Sequence, residues 1–384
     1  MTVMADRPRV LALLGTQHFP PFIDDLGERH RAGKGPRAWL LELPVDLTQL
    51  DQRFHTNPPR RLLSIYRRLP IWLAQAIEAV RVCGRYDVVY AWGAEPAALV
   101  FALLAKLTRR RVPLVCQFSW ISQPKKRWFI RFVRSQITAL VMTPTSQARY
   151  AIESKLMPPG RVMNILDGVD TEFWHAPAGI EQRVVCSAGR EMRDYLTLLK
   201  ALEGTGIPCQ IAARLDRGKE YDRWRRSLGD KGEKVDLPQN VTFTPQLSPT
   251  ELRDLYASAR FVVIPLFQSD TDNGNHVVLE AWSMGRTVIC SAIDGLADSV
   301  IDGHNARIVP VGDVEALRTA ITELWEQPER ATELGANGRK LVAEHRRLDQ
   351  QIAELGGLLR TVTLDQTSAT APGGTEAPVA RPQI

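Results

Sequence analysis

The stretch from Ser269 to Arg286, SDTDNGNHVVLEAWSMGR, sets two carboxylates, Asp272 and Glu280, on either side of a junction between a polar loop and an apolar helix. A loop carboxylate there can face a sugar, and one further into the helix can accept the hydroxyls of a ribose. The first N–H groups of a helix have no intrahelical partner, so the amides of Asn273, Gly274, Asn275, His276 and Val277 suit a negative or polar ligand between the two acids. The layout is that of a nucleotide-sugar site. Arg190 and Arg193 follow one strand and precede a helix, where fixed cationic donors can hold a pyrophosphate; for Arg193 an ion pair with Asp194 or Glu191 is the competing reading. Gly15, after the first strand, permits close backbone approach to a ligand. His276 is expected to offer its backbone amide, and His18 to pack or hydrogen bond structurally. Asp270-Thr271-Asp272 also spells an Asp-x-Asp that could hold Mg²⁺ or Mn²⁺ on a diphosphate. Its position just before the helix carrying Glu280 argues against that, so no metal or cofactor is expected.

The elements that must position these residues alternate strand and helix in two rounds. Runs at 9–14, 87–92, 112–118 and 139–143 read as buried strands, with helices over 96–107 and near 146–156. The pattern restarts with strands at 184–188, 210–213, 241–244 and 261–265 and helices at 194–202 and 248–258. Near-continuous apolar strands separated by helices imply parallel sheets covered on both faces, and such sheets bind ligands at the carboxyl ends of their strands. The expected α/β chain divides into an N-terminal Rossmann-like domain (1–176), a C-terminal Rossmann-like domain (177–340), a C-terminal helix (341–362) and a Pro-, Gly- and Thr-rich tail (363–384) expected to be disordered.

A chain of 384 residues, 44% hydrophobic and 24% charged, can bury two cores. Five dispersed cysteines, mostly inside apolar runs, read as buried free thiols of a reducing compartment. No run of roughly 18 uncharged apolar residues and no signal-peptide core is present, so a cytoplasmic protein is expected. Residues 1–180 carry 25 Lys and Arg against 14 Asp and Glu, whereas the remainder carries 24 against 29. The N-terminal half should therefore meet an anionic partner. In PKKRWFIRFVR, from Pro124 to Arg134, aromatic and basic residues interleave, as suits a helix at an anionic lipid surface or one packing its apolar stripe on the core. No zinc spacing or nucleic-acid recognition motif accompanies the charge, so nucleic acid is not the expected partner.

The segment carrying Asp272 and Glu280 resembles the signature of family 4 retaining glycosyltransferases: a Glu, seven residues, then Glu-Ala, a Gly turn and a hydrophobic strand. Glu280-Ala281, Met284-Gly285 and Thr287-Val288-Ile289 fit, and Asp272 stands where the family has its first Glu. GVDTEFW at Gly168–Trp174 resembles the family's domain junction, Ala188-Gly189-Arg190 with Arg193 its phosphate-binding loop, and Gly295–Val309 the segment after the second acid. The loop is shorter than the family's, and Arg193 would stand in for its Lys. The resemblance covers about Gly168–Trp325; before that it is architectural only. It implies a GT-B fold of two facing Rossmann-like domains, the N-terminal one (1–176) taking the acceptor, the C-terminal one (177–340) the nucleotide sugar, and the helix 341–362 crossing back to the N-terminal domain. It further implies retaining transfer from a nucleotide-diphosphate sugar to a hydroxyl acceptor in cell-surface polysaccharide or glycolipid synthesis, with no obligatory covalent nucleophile. Asp272, one methylene shorter than Glu, leaves open the same contact, a different sugar, or lost activity. An epimerase, a phosphorylase and an inactive sugar-nucleotide-binding protein are the alternatives.

Overall fold

The computed structural model describes residues 7–15, 23–51, 63–177, 179–213, 238–244 and 247–370. Among these, twelve strands form two six-stranded sheets, parallel throughout. The first has the order β2-β1-β3-β4-β5-β6, with β1 Arg9–Leu14, β2 Asp46–Leu50, β3 Val88–Trp92, β4 Leu114–Phe118, β5 Ala139–Met142 and β6 Val162–Asn164. The second has the order β12-β11-β10-β7-β8-β9, with β7 Val184–Ala188, β8 Cys209–Ala212, β9 Val241–Phe243, β10 Ala259–Ile264, β11 Thr287–Ser291 and β12 Ala306–Val309. This is the two-domain α/β GT-B architecture expected from the sequence.

Each sheet is sealed on both faces because neighbouring residues of a strand point to opposite sides. Along β1, Val10, Ala12 and Leu14 join one core with Val88 and Tyr90, while Leu11 and Leu13 join the other with Val89 and Ala91. In the second sheet Cys186, Val262 and Val288 face one way and Val185, Phe261 and Ile289 the other. All five cysteines are buried and free. The helix Pro249–Ser258 begins one residue after Ser248, whose side chain caps it in a reciprocal box with Glu251.

The last helix, Leu348–Thr370, leaves the second domain and lays Leu355, Leu359 and Val362 into the core that holds Val10 and Val88. It continues past residue 362, into the segment expected as tail; residues 371–384 lie outside the described ones, as does His18. The two halves also meet through the loop before the helix Asn275–Ser283. Thr271 donates to the Ser119 carbonyl (3.0 Å), Ser122 Oγ donates to Asp270 Oδ2 (2.5 Å), and Gln147 Nε2 donates to the Asp270 carbonyl (2.9 Å). These contacts hold the carboxyl ends of β4 and β10 facing each other across a cleft.

Candidate functional site

The cleft has a volume of about 490 Å³ and is walled by both halves. One wall is the turn after β7, Gly189 to Arg193, and the loop and helix start at 271–280. Gly189 (φ 95°) and Gly274 (φ 91°) lie in the left-handed region, and a Cβ on Gly189 would meet Arg193 Nη2 at 2.7 Å. Both turns are therefore fixed by backbone shapes that a side chain would oppose.

Arg190 is exposed, lines the cleft and has no polar partner among the described residues. Arg193 also lines it but is buried, against the expectation of a free donor or a surface ion pair. Its Nε donates to the Ala188 carbonyl (2.9 Å) and its Nη1 to the Glu191 carbonyl (2.8 Å), because Met192, at φ 56°, folds the loop back over the guanidinium. Burial lowers its affinity for the proton. Asp194 instead caps the following helix, accepting from the Thr197 amide (3.2 Å).

On the same wall as Arg190, Asp272 and Glu280 reach the cleft from the loop and from the helix Asn275–Ser283, as their spacing predicts. Burial, then the neighbouring Asp167 charge, pushes the Asp272 carboxyl up to about 6. Burial pushes Glu280 up to about 7, with His276, the Tyr256 hydroxyl (3.2 Å) and Arg193 pulling the other way. Carboxyls with raised affinity for protons, half-buried in a cleft, are characteristic of functional sites. At the helix start the Asn275 amide is satisfied by the Asp272 carbonyl (3.0 Å), while those of His276 and Val277 have no acceptor among the described residues. Asn273 lines the cleft with its side chain turned to Ser269 (2.8 Å).

Two expected ligand contacts are elsewhere. Gly15 does not line the cleft: a Cβ there would meet the Gly93 carbonyl oxygen at 2.0 Å, so its smallness serves the close approach of the end of β1 to the turn after β3. Asn275 does not line the cleft either: its amide already donates to the Asp272 carbonyl and its side chain to Asp167 Oδ2 (3.3 Å). The Asp270 carboxylate is engaged by Ser122, and among the described residues no three His, Cys, Asp or Glu side chains converge as a metal site.

Asp167 was not singled out in the sequence. It is nearly buried, lines the cleft, accepts from Asn275 and from Gln351 Nε2 (3.4 Å), and lies 3.7 Å from His276 Nε2. Its charge raises the His276 imidazole above its ordinary range, and Glu280 and Asp272 add to the rise. The His276 side chain, 73% exposed, is thus held at the mouth of the site rather than contributing its amide alone. The N-terminal wall, formed by Trp39, Trp92, Gln117, Ser119 and Trp120, was also not anticipated. These residues follow separate strands and loops, and no spacing in the sequence links them.

The arrangement resembles known proteins at three levels. Residues 221–341 match the family described as glycosyl transferases group 1. The chain is 24% identical over 304 residues (73% of this chain, 78% of the relative) to the GDP-mannose-dependent alpha-(1-6)-phosphatidylinositol monomannoside mannosyltransferase of Mycolicibacterium smegmatis. It is likewise 24% identical over 357 residues (83% and 84%) to the MMP alpha-(1->4)-mannosyltransferase of Mycolicibacterium hassiacum. Among solved structures, Anabaena HepE in complex with UDP-glucose superposes with a TM-score of 0.69 at 15% identity, covering 92% of this chain and all of that one. Sucrose-phosphate synthase from Thermosynechococcus elongatus gives 0.68 at 18%, covering 93% and 100%. The chain is a glycosyltransferase of GT-B fold, similar over residues 221–341 to the group 1 glycosyl transferases.

Proposed function

We propose that the protein transfers a sugar, with retention of configuration, from a nucleotide-diphosphate sugar to a hydroxyl acceptor in glycolipid or cell-surface polysaccharide synthesis. The observation that carries this reading is the meeting, in one cleft, of the unpaired Arg190 with Asp272, Glu280 and the open amides of His276 and Val277. The name of the Mycolicibacterium smegmatis relative, which includes GDP-mannose, and the UDP-glucose complex of HepE support a nucleotide-sugar donor.

In this mechanism Glu280 accepts the ribose hydroxyls and Arg190, backed by the buried charge of Arg193, neutralises the diphosphate as it departs. The helix amides and Asp272 hold the donor sugar. The acceptor hydroxyl attacks from the leaving-group side: its oxygen bonds to the anomeric carbon, the bond from that carbon to the diphosphate oxygen breaks, and the hydroxyl proton passes to the departing phosphate. The arginines and the helix terminus supply the positive charge, so the reaction needs no metal or cofactor. The acceptor enters from the N-terminal domain, which docks on the cytoplasmic face of an anionic membrane through the helix Pro124–Val133. That helix buries Ile130 and Val133 in the core while leaving Trp128 (69%) and Phe132 (49%) exposed and stacked at 5.9 Å, which supports docking through its outer face.

Incubation with isotopically labelled GDP-mannose or UDP-glucose and a lipid extract, in EDTA, tests the proposal. The expected product is an α-linked glycoside, read by NMR. An epimerised nucleotide sugar, a free sugar phosphate, or activity restored only by Mn²⁺ would contradict it.

A further inference from the structure

We infer that the acceptor is a neutral glycosyl unit, stacked by its C–H face on the tryptophan wall and hydrogen-bonded by Gln117. The inference rests on the donor reading above and concerns the opposite wall. Trp39, Trp92 and Trp120 are all half-buried and line the cleft, with Trp39 and Trp92 edge to face at 4.8 Å. Trp120 is fixed because its indole N–H donates to Ser122 Oγ (2.7 Å), the hydroxyl that bonds Asp270 across the cleft. Indole faces carry negative potential, and the axial C–H bonds of a pyranose carry the complementary partial charge.

Gln117 gives the independent sign of a ligand. Its side chain is 5% exposed, and the Tyr90 hydroxyl, buried beneath the sheet, donates to its Oε1 at 2.5 Å. The amide is thereby oriented, and its Nε2 has no acceptor among the described residues although Gln117 lines the cleft. That donor opens to the cleft, where a sugar hydroxyl would accept from it.

The wall also argues against an anionic acceptor. Its cation among the described lining residues is Arg37, whose guanidinium is held by Glu42 and by Asp349 (2.8 Å). The two carboxylates raise its hold on the proton and already balance its charge. Arg190 and Arg193 stand on the far wall, where the donor diphosphate is placed. An inositol phosphate would meet aromatic rings and an amide with, among the described residues of this wall, no free positive charge.

Saturation-transfer NMR on the full chain tests this with methyl α-D-mannopyranoside, methyl α-D-glucopyranoside and D-myo-inositol 3-phosphate as probes. At least one glycoside should receive saturation at its ring C–H protons, fall at least tenfold in Trp120→Ala, and recover in Trp120→Phe. Inositol phosphate should receive none. Saturation of the inositol phosphate with displacement of the glycosides, glycoside signals indifferent to Trp120→Ala, or no glycoside signal in the wild type would each overturn the inference. Melting scans of the same samples with GDP and UDP distinguish the outcomes. Stabilisation by a nucleotide confirms a folded donor site, so that only the acceptor inference fails; its absence in the wild type sinks the donor reading instead.

Discussion

Burial on an apolar helix makes Glu280 a destabilising residue in the empty protein. Its carboxyl takes up a proton more readily in the folded chain (about 7) than in the unfolded one (4.5). Between those values the folded state holds more protons, so stability falls as pH rises through that window. Glu280→Gln keeps the shape and a polar contact for the Tyr256 hydroxyl but removes the charge. It should therefore raise stability by about 1–3 kcal/mol at pH 8 and change little at pH 4, a difference that thermal unfolding at the two pH values would read. An equal Tm for the two proteins at pH 8 would show that the carboxylate is not penalised by its site. Of the site residues, the pair Asp272 and Glu280 was legible because both belong to one loop-to-helix run. Asp167 was not, since its partners Asn275 and Gln351 lie 108 and 184 residues away in the chain. Arg193 was placed in the right loop but not in the right environment, because burial of a guanidinium under its own backbone depends on a turn at Met192 that propensity does not announce.

Helices and strands were legible where burial is two-sided. β1 and β7 match the sequence reading at both ends because each is an unbroken apolar run, and the helix Asn275–Ser283 follows from its position after a glycine-containing polar loop. β2 and β6 went unread: β2 is an edge strand whose residues Asp46–Leu50 alternate with solvent, and β6 has three residues. The helix Pro124–Val133 carries its own prediction. Lys125, Arg127 and Arg131 are exposed beside Trp128 and Phe132, and Lys106 lies 4.6 Å over the Phe132 ring. Each basic residue near an anionic surface contributes about 1 kcal/mol, screened within a Debye length. In flotation assays the protein should rise with phosphatidylserine vesicles in low salt, less so in high salt, and Lys125→Glu with Arg131→Glu should abolish it. Equal flotation with phosphatidylcholine, or none with either lipid, contradicts the docking.

At the scale of the molecule, the repeated strand–helix order revealed two parallel sheets, yet not how they face one another. That is set by contacts such as Thr271 with Ser119, Asp270 with Ser122 and the Thr145 amide with Asp298 (2.7 Å), which join positions far apart in the chain. Through them the N-terminal wall and the C-terminal wall become one cleft, a property of the pair of domains that neither sequence half contains alone. The central claim is that a nucleoside diphosphate occupies the donor side of that cleft, held by Arg190 and Glu280. Calorimetric titration of GDP and UDP into the wild type, Arg190→Ala and Glu280→Ala tests it most directly. A charge-assisted contact is worth ~1.5–3 kcal/mol, so one nucleotide should bind the wild type and each variant should weaken it by about tenfold to a hundredfold while melting as a folded protein. Wild-type affinity in both folded variants, or no binding of either nucleotide to the wild type, would contradict the account.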